Sequence, residues 1–188
     1  MKIKFEHIAE RLVNKVTPKE ISDKLFHLGH EHEFIDGLFD IELTPNRGDC
    51  LSVDGILKDL KVFFELNKKK EIYEESIDPL QMEFTNNYID GCPKISFLRI
   101  EIDKKINAYE GSLSNYFKDL NLKKNNFFTD ISNYISYETG QPTHCYDLAK
   151  IDGKISFEKY EEDYVFNSLL DKSFKISNEN AVFMLKNK

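Results

Sequence analysis

The chain has 188 residues, 40% of them hydrophobic and 13% aromatic, enough to bury one sizeable core or two small ones without a metal or a cross-link. Its formal charge of -7 excludes a protein that coats nucleic acid through bulk electrostatics, because such binding rests on lysine and arginine neutralising phosphates. Cys50, Cys92 and Cys145 are far apart and form no CxxC pair, which predicts free thiols in a cytoplasmic protein rather than a zinc or redox centre.

Lys2, Lys4, Glu6 and Glu10 interrupt the start, and no stretch approaches the roughly 20 apolar residues of a membrane span. Neither a leader nor a membrane segment is expected. Phe5, Ile8 and Leu12 recur at helical spacing. A second helix opens at Thr17-Pro18-Lys19-Glu20, where Thr17 caps, Pro18 suits the first helical position and Glu20 completes a capping box. Ile21, Leu25 and Leu28 make its apolar stripe, and Gly29 ends it. Phe39, Ile41 and Leu43 alternate with Asp40 and Glu42 as a half-buried strand, stopped by Pro45. Thr44 to Asp49 reads as a structural turn in which Arg47 meets an acidic neighbour, and Asp49 or Ser52 caps the next helix. That helix carries Val53, Ile56, Leu57, Leu60, Phe63 and Phe64. The run Lys68 to Lys70 is a solvated face, followed by a linker to Pro79.

Beyond the linker the periodicity changes to two at Leu80, Met82 and Phe84, and 95–102 reads as a longer strand. Leu113, Tyr116, Phe117 and Leu120 predict a short helix. Phe128, Ile131, Ile135 and Glu138 predict another, closed by Gly140. Strands are expected around 155–157, 164–166 and 181–185. Helices and strands mix without βαβ alternation, so the fold class is α+β, a small helical and strand module over 1–77 followed by a mixed α/β domain over 78–188.

The stretch from Asp130 to Asp147 concentrates polar groups at the end of an apolar helix. Ser132 and Asn133 share one turn. Gly140, Gln141 and Pro142 fold the chain back and bring His144 onto a following strand. A hydroxyl, an amide and an imidazole converging on one cavity would suit the gripping of a substrate and the positioning of a water. The competing account is local, since Ser and Asn near helix ends commonly cap backbone and a lone histidine is usually structural. His30, Glu31, His32 and Glu33 lack the i, i+4 histidine spacing of helical zinc sites, so no metal is expected.

Asp130, Ile131, Asn133, Tyr134, Glu138, Gly140, Gln141, Pro142, His144 and Asp147 match the motif D-I-T-N-Y-V-x-x-E-x-G-Q-P-x-H-A-F-D, and the stretch resembles the proofreading domain of the bacterial phenylalanyl-tRNA synthetase β-subunit. Ser132 replaces its threonine, and Cys145 and Tyr146 replace its Ala-Phe. Glu42 to Leu60 separately resembles the family's T-P-N-R-x-D-C-L-S-x-x-G-I-A-R-E-L. Leu28 to Glu33 is similar to its A-G-x-E-V-E, and Cys92-Pro93 to the start of its proofreading domain.

The resemblance implies a fragment or minimal homologue of that β-subunit. Its domain would hydrolyse tyrosine wrongly esterified to phenylalanine tRNA, weakly or not at all on its own. It implies His144, Asn133 and Ser132 as catalytic groups, Glu138, Gly140 and Gln141 on the substrate, and no cofactor. Partners would be tRNA, the synthetase α-subunit and a homo-oligomer. The family's oligonucleotide-fold insert is replaced here by little more than Phe34 to Leu38, and the end at Lys188 leaves half a pocket. The alternatives are a free-standing hydrolase acting in trans, or a non-enzymatic module that binds RNA or protein.

Overall fold

The computed structural model describes residues 1–67, 80–103, 106, 108–160, 163–167, 172–178 and 180–187. The lysine run 68–70 and the expected linker lie outside the described residues. Among those described, no helix is long and apolar enough to cross a membrane. The elements are β1 (Lys2–Lys4), α1 (Phe5–Ala9), α2 (Pro18–His27), β2 (Glu31–Ile35), β3 (Leu38–Glu42), α3 (Val53–Leu60), β4 (Glu83–Asn86), α4 (Ser112–Asp119), α5 (Phe127–Thr139), β5 (Ile151–Lys159), β6 (Tyr164–Asn167), β7 (Ser173–Ile176) and β8 (Ala181–Asn187). Helices and sheets thus mix, as expected of an α+β fold. They form two compact units, one of residues 1–72 with 104–145 and the other of 73–103 with 146–188.

In the first unit an antiparallel sheet in the order β1-β3-β2 packs against α1, α2 and α3. Helix α2 starts as its sequence predicts. The Thr17 hydroxyl accepts from the Glu20 amide at 3.3 Å and the Glu20 carboxylate accepts from the Thr17 amide at 2.7 Å. Strand β2, unforeseen, follows at once, and its hairpin to β3 closes Ile35 onto Leu38. The two loop residues, Asp36 and Gly37, have φ of 52° and 81°, the twist that a tight right-handed hairpin requires. Ile8, Ile21, Leu25, Phe39, Ile41 and Ile56 are fully buried between sheet and helices, and each contributes roughly 1.5–3 kcal/mol. Helix α1 ends at Ala9 and the chain beyond it pairs with 65–67, the Val13 amide donating to the Glu65 carbonyl at 2.9 Å. Leu12 lies beyond it, bridged to Leu66.

Between β3 and α3 the chain makes a tight corner centred on one carboxylate. Asp59 accepts from the Arg47 guanidinium at 2.7 Å and faces His30 Nε2 at 3.0 Å. Arg47 also clasps Asp49, at 3.0 Å. Burial by itself would raise the Asp59 pKa, but the hydrogen bonds from Arg47 and His30 outweigh it and hold the group below the ordinary carboxylate value. Ser52 caps α3 by accepting from the Gly55 amide at 2.9 Å. Gly55 is needed because a Cβ there would stand 2.1 Å from the Asp49 carbonyl oxygen and 2.8 Å from Cys50 Cα.

The second unit is a sheet in the order β4-β5-β8, with β4 parallel and β8 antiparallel to β5, and a separate β6-β7 hairpin. Residues 95–102, expected as a strand, have no regular structure. Within this stretch Ile95 and Phe97 are half-buried, Phe97 packing its ring on Phe84 at 4.8 Å and on Phe183 at 6.4 Å, while Leu98, Ile100 and Ile102 are exposed.

Two outcomes follow for stability. Gly55→Ala forces backbone apart at the corner, and should lower the urea midpoint by the equivalent of about 1–3 kcal/mol. Asp59→Asn should cost about 2 kcal/mol at neutral pH. Because the Asp59 pKa is depressed by folding, the stability it adds is present above the unfolded value and is lost as pH falls through the folded one. The gap between wild type and Asp59→Asn, followed by denaturation at stepped pH, should therefore close below about pH 4.

Candidate functional site

Helix α5 and the loop after it carry the residues that the sequence singles out. Asn126 caps the helix by accepting from the Thr129 amide at 3.0 Å, and Gly140 ends it in the left-handed conformation, φ 74°. Asp130 is fully buried. It accepts from the Asn125 amide at 3.0 Å and from the Tyr109 hydroxyl, and burial, with that bond, pushes the Tyr109 pKa up to about 12. Asp130 therefore anchors the chain that enters the helix.

Glu138 anchors the other end. It is buried in the last turn, where it pairs with the imidazole of His7 and, at 2.6 Å, with the Arg11 guanidinium. Tyr116 packs edge-on against His7 at 5.4 Å and Tyr134 at 4.9 Å. Burial first, and then the Glu138 charge, drives the Tyr116 pKa up. Lys4 adds a bond to Asp119 at 2.7 Å. At the helix end, a Cβ on Gly140 would meet the Ser52 side chain at 3.4 Å, so the corner between β3 and α3 and the loop after α5 touch.

Ser132 is buried, and holds the returning chain. Its Oγ lies 3.2 Å from Cys145 Sγ, and its carbonyl accepts from the Ser136 hydroxyl at 3.0 Å and the Thr143 hydroxyl at 3.3 Å. The residues on both sides of His144 are thus fastened to Ser132, while Asn133, Gln141 and His144 are exposed. His144 lies in irregular chain and not on the expected strand, and Pro142, which has no amide proton, weakens any ladder there. Sequence reasoning identified the polar density but missed the contribution of His7 and Arg11, whose charges in an apolar stripe were the available signal.

A second polar group, unforeseen as a cluster, comprises His30, Cys50 and Asp59, whose ligand atoms lie within 4.8 Å of one another. The Arg47 guanidinium already faces both Asp59 and Cys50 at 2.7 Å. Burial, then the neighbouring Asp59, pushes the Cys50 thiol up to about 12. With its carboxylate and its thiol both held by the guanidinium, the cluster is an arginine-satisfied polar anchor.

The B3/4 domain family matches residues 92–188. The phenylalanine–tRNA ligase beta subunit of Ehrlichia ruminantium (strain Welgevonden) is 31% identical over 170 residues, covering 87% of this chain and 21% of that protein. The corresponding subunit of Rickettsia felis is 36% identical over 129 residues, 68% of this chain and 16% of its own length. That of Rhodopirellula baltica is 26% identical over 192 residues, 97% of this chain and 28% of its own. The chain spans less than a third of the length of these relatives.

Glu138→Gln removes the charge partner of Arg11, whose side chain is one-third exposed. It should cost about 2 kcal/mol and speed amide hydrogen exchange in the last turn of α5 more than in α2. Equal exchange changes in both helices would mean that Glu138 stabilises the unit without fixing α5.

Proposed function

The chain belongs to the B3/4 domain family and is related to the phenylalanine–tRNA ligase beta subunit, and from that premise we propose that it serves proofreading, the hydrolysis of tyrosine wrongly esterified to phenylalanine tRNA. The observation that carries this reading is the double fastening of His144 beside Asn133. Thr143 and Cys145 both bind Ser132, and Asn133 follows Ser132 on an exposed position of α5. An imidazole and an amide presented to solvent from one rigid anchor suit the positioning of a water and of an ester's terminal nucleoside.

In this proposal Asn133 and His144 face the substrate, Ser132 holds the loop, and Gly140 and Gln141 shape the rim. Glu138 supports the helix on which they stand. Tyrosine and phenylalanine differ by one hydroxyl, which a polar site selects far better than an apolar one rejects it. We propose 1–77 and 78–188 as the units of descent, a cytoplasmic location, and tRNA and the synthetase alpha subunit as partners. RNA contact is local, in keeping with the net charge of -7.

A homo-oligomer belongs to the same proposal, because the β6-β7 hairpin presents Tyr164, Val165, Phe166 and Phe174 about half exposed, a patch suited to association. Tyrosine-charged phenylalanine tRNA should be deacylated by the chain, and His144→Ala and Asn133→Ala should each slow this by about a hundredfold, the scale of a lost positioning donor or base. A rate rising faster than linearly with chain concentration would indicate a site completed between copies. Hydrolysis unchanged in both variants would overturn the reading in favour of a binding module.

A further inference from the structure

Outside α5, a serine and a histidine meet in an arrangement that the proofreading reading does not use. Ser22 lies on α2 and His32 on β2, both half-buried. His32 Nε2 is 2.7 Å from Ser22 Oγ, and His32 Nδ1 is 2.9 Å from the carbonyl oxygen of His30. A carbonyl oxygen only accepts, so Nδ1 carries the ring proton. The neutral ring then offers a bare Nε2, and the Ser22 hydroxyl donates to it. An edge contact with the buried ring of Phe39, 5.7 Å between centroids, holds the imidazole in place.

This is the order of an activated nucleophile: hydroxyl, base, and a third group that orients the base. An open cavity of about 460 Å³ borders both side chains, its wall completed by Asp23, Lys24, Phe26 and His27. Lys24 Nζ lies over the Phe63 ring, 4.8 Å from its centroid, and gives this rim a positive charge. Phe26, 77% exposed, supplies an apolar lip. None of these residues belongs to α5 or its loop.

We propose that Ser22 and His32 form a nucleophile–base pair that accepts acyl groups from small activated carboxylic esters. Ser22 Oγ bonds to the ester carbonyl carbon while its proton passes to His32 Nε2. The carbonyl carbon's bond to the alcohol oxygen then breaks, and the departing alcohol takes the proton from Nε2, leaving acyl-Ser22 and a neutral ring. Water repeats the sequence, giving its proton to Nε2 and releasing the carboxylic acid as Ser22 recovers the proton.

The test treats the whole chain with an alkyl fluorophosphonate and maps the adduct by mass spectrometry, with circular dichroism matching each variant to wild type. Labelling should fall on Ser22 and vanish from that peptide in Ser22→Ala. In His32→Gln it should slow by about a hundredfold. Glutamine can still accept the Ser22 hydrogen bond but cannot take up its proton, so equal labelling of His32→Gln would reduce the contact to a structural one and overturn the proposal. So would labelling of Ser22 no faster than that of the exposed Ser112.

Discussion

The fold of the first unit turns on the buried carboxylate of Glu138. A charge without water must be paired, and its partners, His7 and Arg11, come from the start of the chain, more than a hundred residues away. That requirement sets which face of α5 is inward and where its last turn stops. It also explains why 104–145 forms one compact unit with 1–72 although the chain between them contributes to another. The Lys4 bond to Asp119 ties α4 to β1 in the same sense, and the aromatic rings of Tyr116 and Tyr134 exclude water around the ion pair.

With the helix end fixed, the loop beyond it has little freedom. Gly140 turns the chain in the left-handed conformation that glycine adopts readily and other residues rarely do, against the Ser52 side chain that also caps α3. Two motifs that are more than 80 positions apart in sequence are therefore in contact, and the Arg47–Asp59 corner that shapes the first indirectly supports the second. The polar cluster of His30, Cys50 and Asp59 works toward the same end: arginine supplies the positive charge, and the corner becomes rigid.

Features set by nearest neighbours were legible in the sequence. The capping box of α2, the Ser52 cap of α3, the Arg47 ion pair and the Gly140 stop depend on residues within a few positions of one another, and each is present. What escaped depends on distant partners. The Asp36-Gly37 pair is a hairpin signal, yet Glu31 to Ile35 is too polar to read as a strand until β3 supplies its ladder. Residues 95–102 have strand-like alternation, but Leu98, Ile100 and Ile102 are exposed, and Phe97 is half-buried through ring contacts with Phe84 and Phe183 and not through backbone pairing. At the site, Ser132, Asn133 and His144 could be named from their density. That Ser132 points inward to Cys145 while its neighbours point outward could not, because adjacent helical positions differ by about 100° and the sequence does not state which face is covered.

The division of labour within that segment has a chemical consequence. The Ser132 hydroxyl faces Cys145 and its carbonyl accepts from Ser136 and Thr143, so the buried residue holds the returning loop from the inside. Asn133 and His144 stand exposed at either end of the same anchor. A methyl more or less at position 132, where the resemblance implies threonine, then alters the seat of the loop first and the chemistry only through it. In the proposed reading the reactive groups and the group that places them are different side chains, and the buried one carries the geometry.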